Sequence, residues 1–317
     1  VTEAWVDGLD ILAITDHYEG QRGVKNFFRV TAPYNEDNQP TKYLSAKDAG
    51  TVKVDFNRIH REAEKQLEKS GYPMLLIKGC EMARNKEKLG HYNALFVKDI
   101  EAVFDKDPYQ CIRNARAQGA LIMHNHPGWR RTSVEQTETE HAFYNAGLID
   151  GVEVMNGSSF YPLTIDWAKQ HNLFVSSNTD IHDGTAETYR INGVRRNMTL
   201  IFAKDQSVES LREAVVAHRT LAYSCGTLAG DEQLLRDLFL ASVKVSIVAE
   251  ASNGVKTLLL TNMSSVDYIL RLGNGNPVVL SPFSSRTAKT NKEGVLRFEV
   301  ENCWHSSQEQ LMIEVKL

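Results

Sequence analysis

The chain has 317 residues, of which 42% are hydrophobic and 24% are charged. This composition is typical of globular proteins and excludes global disorder, and the length favours about two domains of about 150 residues. The 36 basic and 40 acidic side chains give a net charge of -4, which disfavours nucleic acid and membrane surfaces as partners. No apolar run approaches the roughly 18 residues that span a bilayer, so we expect a soluble protein, either cytoplasmic or exported.

Up to residue 226 the sequence alternates short apolar runs with amphipathic stretches. Strands rich in Ile, Leu, Val or Met are predicted at 10–15, 74–79, 121–124, 151–155 and 173–177. Helix signals lie between them: Gly71 is placed to end one helix, and Asp107 is placed to begin another. The pattern predicts an α/β fold around a mostly parallel sheet.

From residue 242 onward the pattern changes to alternation without helical periodicity. Strands are predicted at 243–249, 255–261, 268–272, 278–280, 295–300 and 311–315, with Asn-Gly turn signals between several of them. We therefore expect an Ig-like β-sandwich over 242–317, joined to the first 226 residues by a helical linker at 227–241.

Four scattered cysteines leave the redox compartment open. Cys80, Cys111, Cys225 and Cys303 lack any paired C-x-x-C spacing. Buried thiols are favoured for all four, although one or two disulfides are compatible with the sequence.

Side chains that can bind metal follow the predicted strands. Active sites of strand–helix barrels lie at the carboxyl ends of strands, where loops direct side chains toward a shared centre. A mixed imidazole and carboxylate set favours zinc, iron or manganese over calcium or magnesium. The set exceeds the about three protein ligands that one catalytic zinc needs, so it predicts more than one ion. The predicted metal ligands are His17, Glu81, His91, His126, Asp180 and His182.

Two of these assignments have alternatives. His91 begins an alternating stretch and is equally compatible with the polar face of a strand. His124 and His126 are two residues apart, so either is a candidate ligand, with the other orienting it through hydrogen bonds. Asp16 and His124 are the candidates for catalytic roles, with Asp16 orienting His17 or moving protons.

The candidate ligands lie in short motifs, in the order Ile14-Thr15-Asp16-His17, Gly79-Cys80-Glu81, His126-Pro127-Gly128 and Asp180-Ile181-His182. The order of these motifs resembles that of the PHP family, the polymerase and histidinol phosphatase superfamily. The resemblance covers about residues 1–226 and implies a distorted seven-stranded TIM-like barrel with two or three divalent transition-metal ions. Gly90-His91 and Asn156-Gly157 are similar to the branch of stand-alone metallohydrolases that includes carbamate hydrolases.

The resemblance also distributes the ligands. It implies that Glu81 bridges ions, that His91 and His126 share one ion, and that His17 and His182 share another, with Asp180 on the remaining ion. Family members open with a strand that carries His-x-His, and this chain opens with Val1 in what reads as the following helix. We therefore expect the first strand to be missing from this sequence and one ion to be weakly held or missing.

Three residues are predicted to bind substrate. Arg84 lies near Glu81 in a loop that also carries Lys86 and Lys88, and this loop is suited to a phosphate group. Trp129 follows the third motif and is placed either to stack on a substrate or to pack over the barrel rim. Asn156 is placed either to donate to substrate or to cap its turn. The segment at 31–51 has little apolar content and is predicted to be a surface loop.

Three functions are compatible with these features. The first is a phosphoesterase that hydrolyses a small phosphorylated compound with a metal-activated bridging water. The second is an amide or carbamate hydrolase that uses the same metal centre. The third is a metal-depleted, non-catalytic protein whose sandwich binds a glycan or another protein. The oligomeric state is not predicted by the sequence.

Overall fold

A computed structural model describes residues 1–17, 56–83, 90–105, 107–182 and 184–317. Contacts divide the chain into two compact units. The first unit consists of Val1–Val152 with Gln206–Val208, and the second of Glu153–Asp205 with Glu209–Leu317. In these described ranges no helix has the length and apolar content to cross a bilayer. The domain boundaries predicted at 226 and 242 stay a prediction.

The first unit contains a mixed sheet with strand order β1-β2-β3-β4-β5. Only the first two residues of β5, Gly151 and Val152, belong to this unit, and they pair with β4. Strands β1 and β2 are parallel, as are β4 and β5, whereas β3 is antiparallel to both of its neighbours. The strands are β1 (Ile11–Ile14), β2 (Leu75–Ala83), β3 (His91–Leu95), β4 (Leu121–Asn125) and β5 (Gly151–Asn156). The helices are α1 (Thr2–Val6), α2 (Arg58–Ser70), α3 (Pro108–Ala117) and α4 (Glu138–Asn145), with a 3-10 turn at Glu101–Val103.

Strand β3 corrects the prediction of a mostly parallel sheet. The sequence predicts this strand only as the alternative interpretation of the stretch that begins at His91. In the structure β3 lies between β2 and β4 and is antiparallel to both. Strand β2 also runs to Ala83 rather than ending at residue 79, because its ladder with β3 continues to the pair Ala83 and His91. Glu81 therefore lies inside a strand and not in the loop after it.

Helix boundaries in this unit follow local chemistry. The carboxylate of Asp107 accepts a hydrogen bond from the backbone N–H of Tyr109 and begins α3, as predicted. Gly71 ends α2 in the left-handed conformation with a φ of 68°, which confirms the predicted stop signal. Helix α4 begins with a capping box formed by Thr137 and Glu140.

The second unit is mainly β-structure. The remainder of β5 pairs with β6 and β7. Two further sheets follow. One has the strand order β14-β13-β16-β10-β9-β8, with β17 also paired to β16, and the other has the order β11-β12-β15. The strands are β6 (Ser159–Phe160), β7 (Phe174–Asn178), β8 (Met198–Ile201), β9 (Thr220–Ser224), β10 (Thr227–Gly230), β11 (Val243–Glu250), β12 (Lys256–Asn262), β13 (Tyr268–Arg271), β14 (Val278–Leu280), β15 (Ser285–Lys289), β16 (Val295–Trp304) and β17 (Gln310–Lys316). The helices are α5 (Leu163–His171), α6 (Val208–Val216) and α7 (Glu232–Ser242), with a π-helical turn at Ala186–Arg190.

One hydrophobic core contains side chains from both of these sheets and from α7. Phe239 of α7 lies at its centre, with its ring centroid 4.9 Å from that of Tyr268 and 5.7 Å from that of Phe298. All six strands predicted after residue 242 are present. The helical linker predicted at 227–241 is helical only from Glu232, because Thr227–Gly230 forms strand β10. Strand β10 pairs in parallel with β16, so one sheet combines strands from the predicted linker and the predicted sandwich.

The α/β fold is confirmed as a mixed fold with further β-sheets, and a seven-stranded barrel stays a prediction. All four cysteines lie in the described residues, and none of them forms a disulfide. Cys80, Cys111 and Cys303 are buried as expected, and burial raises the pKa of Cys303 to about 12. Cys225 is exposed, contrary to the prediction, because it lies in the tight turn between β9 and β10 with a φ of 49°.

Candidate metal centre

Glu81 is the central residue of the candidate site. Its carboxylate is almost fully buried, with 6% of the residue exposed. The backbone of β2 fixes its position, because its N–H donates to the carbonyl of Asp16 at 3.0 Å and His17 forms a parallel bridge with it. The segment after β1 is therefore held beside Glu81 by backbone pairing.

The antiparallel direction of β3 brings His91 to the same edge of the sheet. β3 begins where β2 ends, and His91 is paired with Ala83 on one side and with Asn125 of β4 on the other. Strands β3 and β4, which follow β2 in the sheet, thus bring polar side chains toward Glu81 at one edge. A parallel β3 would have put its first residue at the opposite edge.

Three imidazoles meet the Glu81 carboxylate. The Nδ1 atom of His91 lies 2.9 Å from Oε1, and the Nε2 atom of His126 lies 3.4 Å from the same oxygen. The Nδ1 atom of His17 lies 3.1 Å from the other oxygen, Oε2. His91 and His126 are buried, whereas the His17 side chain is 29% exposed. The cluster therefore has a buried side and a side that solvent reaches.

Asn125 and His126 both reach Glu81 although they are consecutive in the chain. The Asn125 amide donates to Glu81 Oε1 at 3.1 Å. In an extended strand consecutive side chains point to opposite faces. His126 has a φ of 27°, which ends the extended conformation after β4 and turns its ring toward the carboxylate. His124, the alternative ligand, contacts Glu140 and Tyr144 instead.

The electrostatics keep Glu81 ionised. Burial acts to raise the pKa of its carboxyl, but hydrogen bonds from His126 and His91 and the nearby His17 hold this pKa well below its usual range. A buried carboxylate that meets imidazole nitrogens presents the donor atoms of a transition-metal site in one place.

The donor set fits a divalent transition-metal ion. One ligand atom from each of Glu81, His91 and His126 lies within 4.8 Å of the other two, and all three residues are buried. Two imidazoles and one carboxylate suit zinc, manganese or iron. The geometry thus places together three of the six predicted ligands, with His17 on the second carboxylate oxygen as a fourth.

Trp129 covers this cluster. Its ring centroid lies 5.2 Å from that of His91 and 5.4 Å from that of His126, and the guanidinium of Arg130 lies over the indole at 4.3 Å. Trp129 is 36% exposed, so it packs on the imidazoles and also remains partly accessible to a ligand.

A comparison with solved structures finds one that is similar over nearly the whole chain. A solved structure of a two-domain protein from Bacteroides vulgatus, described as containing a predicted PHP-like metal-dependent phosphoesterase, has 30% sequence identity and a TM-score of 0.83. The match covers 99% of this chain and 88% of that one. The chain belongs to the PHP family.

Other comparisons add little to the PHP assignment. A proposed metal-dependent phosphoesterase from Bifidobacterium adolescentis has 14% identity and a TM-score of 0.35, over 58% of this chain and 81% of that one. No family model matches the PHP chain, and neither does any curated protein.

In the second unit of the PHP protein, Asp180 and His182 lie together. The Nδ1 atom of His182 is 2.8 Å from the backbone oxygen of Asp180 and 3.9 Å from its Oδ1 atom. Asp180 has a φ of 50°, which turns the chain just after β7. Asn156 ends β5, and its amide donates to the buried carboxylate of Glu153 at 3.2 Å. Arg84, Lys86, Lys88 and the predicted loop at 31–51 lie outside the described residues.

The sequence did not single out Asn125 or Glu140. In an extended strand the side chain of Asn125 would point away from those of His124 and His126, so the sequence pattern gives no reason to place it at the site. Glu140 gave a recognisable signal, since Thr137-x-x-Glu140 is a capping-box pattern, but that pattern indicates only a helix start. Its contacts with His124 and Arg131 depend on tertiary structure.

Proposed function

We propose that this PHP protein is a metal-dependent hydrolase of small phosphoesters. The observation that carries the proposal is the convergence of three imidazoles on the two oxygens of one buried carboxylate, Glu81. The similarity to a protein described as containing a metal-dependent phosphoesterase supports the same reaction class. A small-molecule phosphoester is the proposed partner.

Glu81, His91 and His126 would hold one divalent ion, and zinc, manganese and iron are the candidates. His17, which lies at the second oxygen of Glu81, would hold a second ion together with this carboxylate. The family resemblance assigns Asp180 and His182 to the same centre of two or three ions, and that assignment stays a prediction. When bound, such ions supply Lewis acidity that activates water at neutral pH and neutralises phosphoryl charge.

The protein's own side chains perform the remaining tasks. Asn125 and the imidazoles orient the Glu81 carboxylate, so the donor atoms are arranged before any ion binds. Trp129 limits water access to His91 and His126 and offers an indole face to substrate. Asp16 holds Glu81 through its backbone carbonyl, and its carboxylate stays a candidate for orienting His17.

Arg84 and Asn156 remain the predicted substrate contacts. A guanidinium beside the centre would pair with two oxygens of a phosphate dianion, which a neutral carbamate does not possess. Arg84→Ala is therefore expected to lower phosphoesterase activity strongly and to leave carbamate hydrolysis nearly unchanged. This contrast separates the proposed function from the amide or carbamate hydrolase that the same centre would also support.

The test is a side-by-side assay of zinc-, manganese- and iron-loaded protein. Panels of phosphomonoesters, phosphodiesters and aryl carbamates are compared at equal concentration, with Glu81→Gln as the negative control. We expect hydrolysis of at least one phosphoester class, dependent on Glu81. Carbamate hydrolysis without phosphoester hydrolysis would replace the proposal by its alternative, and inactivity on every panel would contradict both.

A further inference from the structure

A second buried charged cluster is formed around Glu140 at the start of α4. Glu140 is fully buried. The guanidinium of Arg131 donates to both of its oxygens, with Nη1 at 2.9 Å from Oε2 and Nη2 in contact with Oε1. The backbone N–H of Thr137 donates to Oε2 at 2.8 Å as part of the capping box. The helix cap therefore uses only Oε2.

The other oxygen, Oε1, faces the chain just before the ligand His91. Gly90 has a φ of 79°, and a Cβ atom on it would lie 2.9 Å from Glu140 Oε1 and 3.2 Å from His124 Nε2. Both the backbone conformation and the space at this position thus require glycine. Glu140 forms part of the surface against which the residue preceding His91 is packed.

The same oxygen also meets the strand that carries His126. The Nε2 atom of His124 lies 3.4 Å from Glu140 Oε1, and its Nδ1 atom lies 2.9 Å from the Tyr144 hydroxyl. The His124 ring stacks on Tyr92 with centroids 4.9 Å apart. His124 is fully buried, and it lies two residues before His126. Its position is fixed by Glu140 and Tyr144 at the two ring nitrogens and by Tyr92 on one face of the ring.

Arg131 connects Glu140 to the loop that follows His126. This loop carries Trp129, whose ring packs on His91 and His126. Arg131 also donates to the backbone carbonyl of Glu135 at 3.2 Å, so its guanidinium holds the loop at a second point. One carboxylate is therefore linked to Gly90, to β4 and to the Trp129 loop.

We propose that Glu140 is a positioning residue that sets the orientation of the His91 and His126 imidazoles for metal binding. The proposal rests on the proposed metal-dependent function. A purely structural role would need only the helix cap and the ion pair, and a buried ion pair is a weak source of net stability. The direction of Oε1 toward Gly90 and His124 indicates the additional role.

The test compares Glu140→Gln with a matched control, Glu213→Gln. Glu213 forms a similar two-point pair with Arg219, but the pair is solvent-exposed and lies in the second unit. Metal-free proteins are titrated with Co²⁺, whose visible absorption reports both affinity and coordination geometry. Outer-layer partners of metal ligands typically change metal affinity about 10- to 100-fold, so we expect this loss and an altered spectrum for Glu140→Gln and neither for the control.

Circular dichroism and thermal unfolding of each metal-free variant separate positioning from folding. If Glu140→Gln does not fold, Arg131→Lys decides the question, because it keeps the charge and loses the two-point contact. If Glu140→Gln folds and shows the Co²⁺ affinity and spectrum of the wild type, the proposal is overturned. If Glu140→Gln does not fold, the same result in Arg131→Lys overturns it. Absence of Co²⁺ binding by the wild type would instead overturn the proposed function, and the positioning role would fall with it.

Discussion

The Nδ1 atom of His91 lies 2.9 Å from the Oε1 atom of Glu81, across the antiparallel ladder of β2 and β3. These two residues are only ten positions apart, and the paired strands fix their separation without help from a distant segment. His126, the residue that follows β4, lies 3.4 Å from the same oxygen through its Nε2 atom. The centre of the site is thus built on three neighbouring strands, which hold side chains more rigidly than loops do.

Removal of a single imidazole should abolish tight metal binding. His91→Ala and His126→Ala each delete one of the three clustered donors, so we expect zinc affinity to fall by more than about 100-fold, beyond the effect typical of outer-layer residues. Isothermal titration calorimetry measures the change. The control is His141→Ala. His141 is an exposed residue of α4 that is hydrogen-bonded to Asn145, so this variant should bind zinc as the wild type does.

Trp129 should report on the metal site by fluorescence. The centroid of its ring lies 5.2 Å from that of His91 and 5.4 Å from that of His126. A paramagnetic ion such as Co²⁺ bound by these two imidazoles should therefore quench the emission of Trp129. Trp129→Phe should lose the Co²⁺-dependent quenching and keep most of the affinity. Trp5→Phe, which removes an indole stacked on Tyr72, should keep the quenching. Equal quenching in both variants would show that Trp129 is not beside the bound ion.

The stability of the metal-free protein should depend on Glu140 in acid. Burial acts to raise the pKa of Glu140, but hydrogen bonds from His124 and Arg131 lower it from 4.5 to about 2. Because the folded-state pKa is the lower one, ionised Glu140 stabilises the fold above pH 4.5, and this contribution is lost as the pH falls toward 2.

Urea unfolding at a series of pH values measures this effect. The difference in free energy of unfolding between wild type and Glu140→Gln should be largest near neutral pH and should shrink below pH 4.5. Arg131→Met should be more damaging, at about 3–5 kcal/mol, because it leaves the buried carboxylate without its cation. A pH-independent difference would show that Glu140 acts through shape alone.

Several parts of the fold could be predicted because local chemistry determines them. The Asp107 cap, the Gly71 stop and the strands after residue 242 each have a short-range signal, and all are present. The antiparallel course of β3 has no such signal, since strand direction depends on tertiary pairing. Strand β15 was missed because Ser285–Lys289 contains a single apolar residue, Ala288.

The candidate site was predictable in composition and less so in geometry. Residue type and motif order indicated Glu81, His91 and His126 as ligands. They left His124 and His126 as alternatives, and the choice depends on the φ of 27° at His126, which no periodicity reveals. The roles of Arg84, Asn156, Asp180 and His182 stay predictions.

The core of the second unit should depend strongly on Phe239. This fully buried ring contacts Tyr268 and Phe298, so Phe239→Ala should lower the free energy of unfolding by about 3–5 kcal/mol. Leu240 is the next residue of α7 and is 54% exposed, so Leu240→Ala should change the free energy of unfolding by about 0.5 kcal/mol or less. Denaturant unfolding of both variants checks the contrast, and similar losses would contradict the assigned core.

Metal analysis tests the central claim most directly. Wild type and the triple variant Glu81→Gln/His91→Ala/His126→Ala are loaded with zinc or manganese, passed through gel filtration and analysed by inductively coupled plasma mass spectrometry. We predict that the folded wild type retains about one equivalent or more and that the folded triple variant retains far less. A wild type that retains no metal, or a triple variant that retains as much as the wild type, would contradict the metal centre at Glu81.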